Sequence, residues 1–224
     1  MKTALLMIAT GERYRQYAEG MIRSAKEFFF EHDTIVFADG PVEGASWVFK
    51  KEPLGYPNET LRRYNTFMTQ EALLRSYDYL FYSDADMKLI APVKPGDICS
   101  GGITATLHPG YFGNSGTPER NPKSTAYIDR DATNHYFCGG FNGGTSKAYM
   151  DMAATIAKNV DTDAANGIIA VWHDESHLNR YLYENPPARI LTPSFCTPEG
   201  YHDHWGWTMK QFPPVLLALH KGAR

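Results

Sequence analysis

Apolar positions follow two rhythms along the N-terminal part of the chain. Thr3 to Ala9 is a short apolar run that ends at Thr10-Gly11, and from Tyr14 to Glu31 the apolar side chains recur at Tyr17, Ala18, Met21, Ile22, Ala25 and Phe28. The first spacing predicts a buried strand and the second a helix. Thr34 to Phe37 reads as another buried strand, closed by Ala38-Asp39-Gly40-Pro41, where Gly and Pro set a chain reversal. This β-α-β order predicts an α/β nucleotide-binding layer. Asn58 caps a predicted helix that runs through Leu61, Tyr64 and Phe67 to Leu74, and Tyr79 to Tyr82 is the next strand. Ser83-Asp84-Ala85-Asp86 follows that strand. Open α/β sheets bind ligands beyond the carboxyl ends of their strands, so two carboxylates there are well placed to meet one.

Met87 to about Ala126 is loop-rich, with Gly and Pro clusters at Gly101-Gly102, His108-Pro109-Gly110 and Gly113 to Pro122. Gly139-Gly140-Phe141-Asn142-Gly143-Gly144 follows no clear strand and leads into a predicted helix from about Thr145 to Asn159. A further helix is expected from roughly Ser176 to Glu184. No repeat, low-complexity tract or interdomain linker is visible. With 43% apolar residues the chain can fill a core of its own. A formal charge of -3, with the two signs interleaved, provides no basic stripe for a nucleic-acid backbone. Cys99, Cys138 and Cys196 form neither a disulfide framework nor a C-x-x-C pair, which fits a reducing compartment. Ala4 to Ala9 is far short of the ~20 residues a membrane span requires. These features predict a soluble, cytoplasmic protein with no membrane span and no nucleic-acid partner.

Candidate chemistry sits at a few spots. Asp84 and Asp86 can share one divalent cation, because close carboxylates repel without one, and the same pair also fits a solvated polar turn. Trp172-His173-Asp174-Glu175-Ser176-His177 brings an indole and three kinds of ionisable group to a loop-helix boundary. Glu175 there suits a nucleophile or charge stabiliser for glycosyl transfer, or simply a favourable first-turn carboxylate. His173 and His177, at i and i+4, share a helix face and offer a rival zinc reading, with His202-Asp203-His204 as added ligands, although Asp174 stands where the zincin motif needs Glu. Gly139 and Gly140 either open room for a bulky sugar substituent or serve a tight turn. His108 could bond a sugar hydroxyl, Arg63 a phosphate or the acidic pair, and Tyr14 could stack on a base; each is also compatible with an ordinary structural place.

In this order the segments resemble the family 6 retaining glycosyltransferases, which include the blood-group A and B transferases. The resemblance runs from the first strand through Asp84-Ala85-Asp86-Met87, Thr106 to Gly110, Ser124 to Ile128, Phe137 to Gly144 and Ala165 to Tyr181, reaching Pro198-Glu199-Gly200. It implies a GT-A type fold, α/β with a Rossmann-like nucleotide-binding half and a mixed central sheet. It implies manganese, or another divalent cation, on Asp84 and Asp86, with donor contacts from Ala9, Thr10, Tyr14, Arg63, Ala85 and Asp174. Glu175 matches the catalytic glutamate, while His108, Trp172 and Glu199 match acceptor contacts. Cys138, Gly139 and Gly140 match the triplet that sets donor choice, and the small Gly140 points to UDP-GalNAc over UDP-Gal.

The protein is expected to lack the N-terminal anchor and stem of the animal enzymes and, with only Lys221 and Arg224 as basic residues for a closing tail, to resemble the compact bacterial relatives. The expected organisation is one catalytic domain over 1–224, with residues 1–87 holding UDP and metal and residues 88–224 holding acceptor and Glu175. The expected activity is retaining transfer of GalNAc or Gal from a UDP-sugar to a galactose-containing oligosaccharide, forming an α-1,3 linkage, through a glycosyl-Glu175 intermediate or a same-face route. Acceptor recognition is expected in the loop from Gly113 to Lys123. A zinc hydrolase and a carbohydrate-binding module without turnover are the alternatives.

Overall fold

Seven strands form one mixed sheet that runs through both halves of the chain, in a computed structural model that describes residues 1–129, 135–200 and 211–221. In chain order the elements begin β1 (Thr3–Ala9), α1 (Glu12–Phe28), β2 (Asp33–Ala38), β3 (Trp47–Lys50), α2 (Asn58–Leu61), α3 (Arg63–Met68) and α4 (Glu71–Leu74). They continue with β4 (Tyr79–Ser83), β5 (Met87–Leu89), α5 (Pro95–Ile98), β6 (Ile103–Leu107), β7 (Phe137–Thr145), α6 (Ser146–Ala165) and α7 (Asp174–Glu184). Three short strands, β8 (Arg189–Leu191), β9 (Thr197–Pro198) and β10 (Leu216–Ala218), complete the set. The large sheet has the order β3-β2-β1-β4-β7-β6-β8, parallel from β3 to β4, with β7 antiparallel to both neighbours. A smaller sheet, β5-β10-β9, brings the end of the chain back beside the Asp84-Ala85-Asp86 turn.

The unbroken apolar character of β1 follows from burial on both faces. Leu6 joins Phe37, Phe67, Tyr149 and Ile156 on the side of α3 and α6, while Leu5 and Met7 pack with Met21, Ile22 and Phe81 on the side of α1. The predicted helix from Asn58 to Leu74 is instead three short helices, because Arg62 (φ -98°, ψ 23°) and Gln70 (φ -123°, ψ 28°) leave the helical region. The break at Arg62 has a consequence for the site. Arg62 turns outward to Asp161 (2.8 Å), and Arg63 turns inward and is buried.

The glycine-dense segment corrects the sequence reading most. It is neither a turn nor strandless but the body of β7, at the centre of the sheet. A Cβ on Gly143 would lie 2.2 Å from Phe81 Cδ1, and one on Gly144 (φ +147°) would lie 2.3 Å from the Gly102 carbonyl oxygen. Small residues are required because ring and backbone press directly on this strand. The loop-rich stretch likewise contains a fully buried strand, β6. Helix α6 extends to Ala165, beyond the predicted Asn159, and α7 begins at Asp174. Among the described residues, no helix is long and apolar enough to cross a membrane.

Candidate active site

The carboxyl ends of β1 and β4, the first half of β7 and the start of α7 meet around three hollows that share Asp84. The first, about 400 Å³, is lined by Thr10, Tyr14, Tyr56, Arg63, Ala85 and Asp86 among others. The second, about 480 Å³, gathers His108, Cys138, Gly140, Glu175, Cys196 and Glu199. The third, about 200 Å³, lies between them against Gly139, Trp172, Asp174 and Glu175. Ala9 does not line the first hollow: strand alternation turns it into the core, and its neighbours Ile8 and Thr10 face the cleft.

Arg63 is the hub. Its guanidinium lies 3.1 Å from Asp84 Oδ1 through Nη2 and 3.1 Å from Asp174 Oδ2 through Nε, and Nη1 donates to the Gly139 carbonyl at 2.6 Å. The same group rests 4.2 Å above the Tyr82 ring, whose hydroxyl donates to Asp84 Oδ1 at 2.5 Å. One cation thus ties β4, β7 and α7 together, which the planar fork of Arg permits and the single ammonium of Lys does not.

The carboxylates outnumber the cations facing them, and burial shows in their acidity. Desolvation pushes Asp174 up to about 6, against the opposing pull of Arg63. Glu175 is pushed up to about 7 by burial, even though its Oε2 accepts the Gly139 N–H at 2.8 Å. Asp84 is raised for the same reason, with Arg63 opposing and Asp86 reinforcing. Asp86 Oδ2 accepts the Lys221 ammonium at 2.6 Å. Among the described residues, neither carboxylate oxygen of Asp174 has a hydrogen-bond donor in bonding geometry.

This arrangement suits a divalent cation at Asp84 and Asp86. The pair stands at the mouth of the first two hollows, and Asp86 already holds one positive group in Lys221. Hard oxygen donors of this kind match magnesium or manganese, which complete their shells with water and phosphate. Among the described residues no cluster of three His, Cys, Asp or Glu side chains could hold a metal by itself.

His108 and Glu199 share the second hollow with Glu175, whereas Trp172 lines the third and donates through Nε1 to Thr117 at 2.7 Å. His108 Nδ1 accepts the Gly110 N–H at 3.0 Å, and burial pulls the ring down to about 4, so it is neutral at neutral pH. The zinc arrangement fails on geometry. His173 caps α7 with φ 54° and lines the third hollow, while His177 is buried 3.8 Å from Asp163, so the two do not share an accessible face. His202-Asp203-His204 and Arg224 lie outside the described residues.

Three features escaped the sequence reading. Tyr56, Glu59 and Thr60 wall the first hollow, Cys196 sits against Gly140, and buried Glu119 accepts the Val171 N–H at 2.6 Å beside Trp172. Glu119 and Cys196 carry no local pattern that separates them from ordinary loop residues. A proline-rich stretch next to a predicted helix was the one available hint for Tyr56.

Fold and site together define an α/β protein with a mixed central sheet, an acidic pair at the sheet's carboxyl edge and a buried glutamate in the adjoining hollows. Residues 59–212 match the profile of glycosyltransferase family 6, and the chain belongs to that family. Its fold is of the GT-A type. The chain is 40% identical over 154 residues to histo-blood group ABO system transferase 1 of Rattus norvegicus, covering 67% of this chain and 41% of the relative. It is 28% identical over 201 residues to globoside alpha-1,3-N-acetylgalactosaminyltransferase 1 of Homo sapiens, covering 82% and 57%. It is 25% identical over 211 residues to the O-antigen biosynthesis glycosyltransferase WbnI of Escherichia coli, covering 89% of both chains. The chain spans about half the length of the animal relatives it matches.

Proposed function

We propose that the protein is a retaining glycosyltransferase that moves GalNAc, or Gal, from a UDP-sugar to a hydroxyl of a galactose-containing glycan, forming an α-1,3 linkage. The observation that carries this reading is the place of Glu175. Its buried carboxylate is fixed by the Gly139 N–H where the second and third hollows join, across from Asp84 and Asp86.

The first hollow, with Thr10 and Tyr14 on its wall, takes the uridine, and Asp84 and Asp86 are the residues that would hold a divalent cation. When bound, such a cation, expected to be manganese, would supply positive charge to offset that of the diphosphate and of the departing UDP. Asp174 lies at the third hollow, where the donor sugar would sit, and its ion pair with Arg63 positions that guanidinium beside it. The bond between the sugar's anomeric carbon and UDP breaks with its electron pair on the diphosphate. Positive charge then grows on the sugar ring, and the Glu175 carboxylate stabilises it from the opposite face or bonds to it. The acceptor hydroxyl, placed near His108 and Glu199, attacks on the face the UDP leaves, and its proton passes to the diphosphate oxygen. Either route of Glu175 conserves the configuration.

The test is product analysis by NMR with UDP-GalNAc and UDP-Gal, manganese and galactose-terminated glycans. An α-linked product is expected, with turnover lost on chelation and restored by manganese. A β-linked product would overturn the mechanism, and sugar binding without UDP release would favour a non-catalytic binding module.

A further inference from the structure

Trp172 carries an indole to the wall of the third hollow, beside Glu175, from a turn that does not hold itself in place. The next residue, His173, has φ 54° and ψ -126°, outside the regions that L residues readily occupy. Such a residue persists only where its surroundings fix the chain on either side. On the helix side α7 does this, since the Trp172 N–H donates to Ser176 Oγ at 2.9 Å. On the other side the fixing group comes from a distant segment. Glu119 is buried, and its Oε2 accepts the Val171 N–H at 2.6 Å.

The surroundings of Glu119 make it a brace. Its other oxygen, Oε1, accepts the Asn121 N–H at 2.7 Å, so both ends of the carboxylate are engaged and its direction is set. Both partners are N–H donors, which calls for two acceptor oxygens; a carboxylate offers them and the amide of Gln does not. Two residues earlier, Thr117 Oγ1 accepts the Trp172 indole N–H at 2.7 Å, and the ring of Pro118 stiffens the link between the two contacts. One short segment thus grips Trp172 by its ring and Val171 by its backbone. The segment has a footing of its own. Ser124 Oγ donates to Asp163 Oδ2 at 2.5 Å and the Thr125 N–H to Asp163 Oδ1 at 2.7 Å, which ties the same loop to the end of α6.

We propose that Glu119 is a positioning residue for the acceptor: through Val171 it holds Trp172 in place beside Glu175, and glycan binding depends on it although it touches no substrate. The proposal rests on the reading of this cleft as a glycosyltransferase site in which Trp172 meets the acceptor.

The experiment measures transfer from UDP-GalNAc or UDP-Gal, whichever is used faster, to the best of a set of galactose-terminated glycans. Wild type, Glu119→Gln, Trp172→Leu and the double variant are compared, with calorimetric binding of UDP as the control for a folded nucleotide site. Gln turns an N–H toward one of two backbone donors, so Glu119→Gln should raise the acceptor KM about tenfold. The donor KM and UDP binding should stay within about twofold of wild type. Trp172→Leu should raise the acceptor KM as well, and adding Glu119→Gln to it should change that value by less than about twofold, because the two act as one unit. Glu119→Asp keeps two acceptor oxygens on a stem one methylene shorter; it should fall between wild type and Gln, and it takes the place of Gln throughout if that variant does not fold. An unchanged acceptor KM, equal losses for donor and acceptor, or fully multiplicative effects in the double variant would overturn the proposal. A folded wild type that binds UDP but transfers to none of the glycans would instead overturn the acceptor reading, and this proposal with it.

Discussion

Glu175 is a residue whose working state and stability oppose each other. Its folded pKa, about 7, is raised above the ordinary glutamate value, so the native protein binds that proton more tightly than the unfolded chain. Stability from this group is therefore present at low pH and is lost as pH climbs through the window between about 4.3 and 7. The proposed catalytic role needs the opposite form, the carboxylate. We expect kcat/KM to fall as pH drops below about 7. Glu175→Gln should lower turnover by at least about 10²-fold yet, at pH 8, resist denaturant better than wild type, by up to about 3 kcal/mol. Denaturation curves at pH 5 and pH 8 check this, since the advantage should shrink at the lower pH. Arg63 is the counterpart. Arg63→Met leaves Asp84 and Asp174 facing each other without a counter-charge and should destabilise the fold by roughly 3–5 kcal/mol, with Arg63→Lys recovering only part of it. A thermal or urea midpoint unchanged in the Met variant would contradict the hub.

At the scale of elements, β7 links the core to the chemistry. Its inner glycines let Phe81 and the Gly102 carbonyl press on the strand, while its outer end delivers Cys138, Gly139 and Gly140 to the cleft. Gly143→Ala should therefore cost roughly 1–3 kcal/mol or more from overpacking, read as a shift in the denaturation midpoint, without a change in donor preference. The sequence revealed the strands β1, β2 and β4 through their unbroken apolar runs but hid β6 and β7. In β6 the alternation of Ile103, Ala105 and Leu107 with two threonines is a short strand pattern set between Gly-rich and Pro-rich segments, whereas the glycines of β7 have no apolar signature and owe their strand identity to the neighbours that pair with them. The start of α7 was placed within two residues, because its acidic first turn follows ordinary end rules.

For the whole molecule, the last strand closes the circle. β10 pairs with β5 and β9, and the Leu219 N–H donates to the Asp86 carbonyl at 2.8 Å, so the chain's end is stitched to the acidic pair found earlier in the sequence. Ligand binding should accordingly stabilise the entire fold. UDP with manganese at about 100 times its dissociation constant should add about 2.7 kcal/mol, a rise in melting temperature on the order of 5–10 °C, and UDP with chelator should give clearly less. Scanning calorimetry with and without chelator measures the difference. The local sequence determined the parallel α/β start of the fold, the acidic pair beyond β4 and the chemistry-bearing segment around Glu175, since periodicity, turn residues and clustered carboxylates are properties of neighbours along the chain. Tertiary structure alone decided that Arg63 serves three elements at once, that Glu175 is buried enough to hold its proton near neutrality, and that Cys196 faces Gly140. Each of these depends on desolvation or contact between residues distant in sequence, and none is encoded in any short stretch of it.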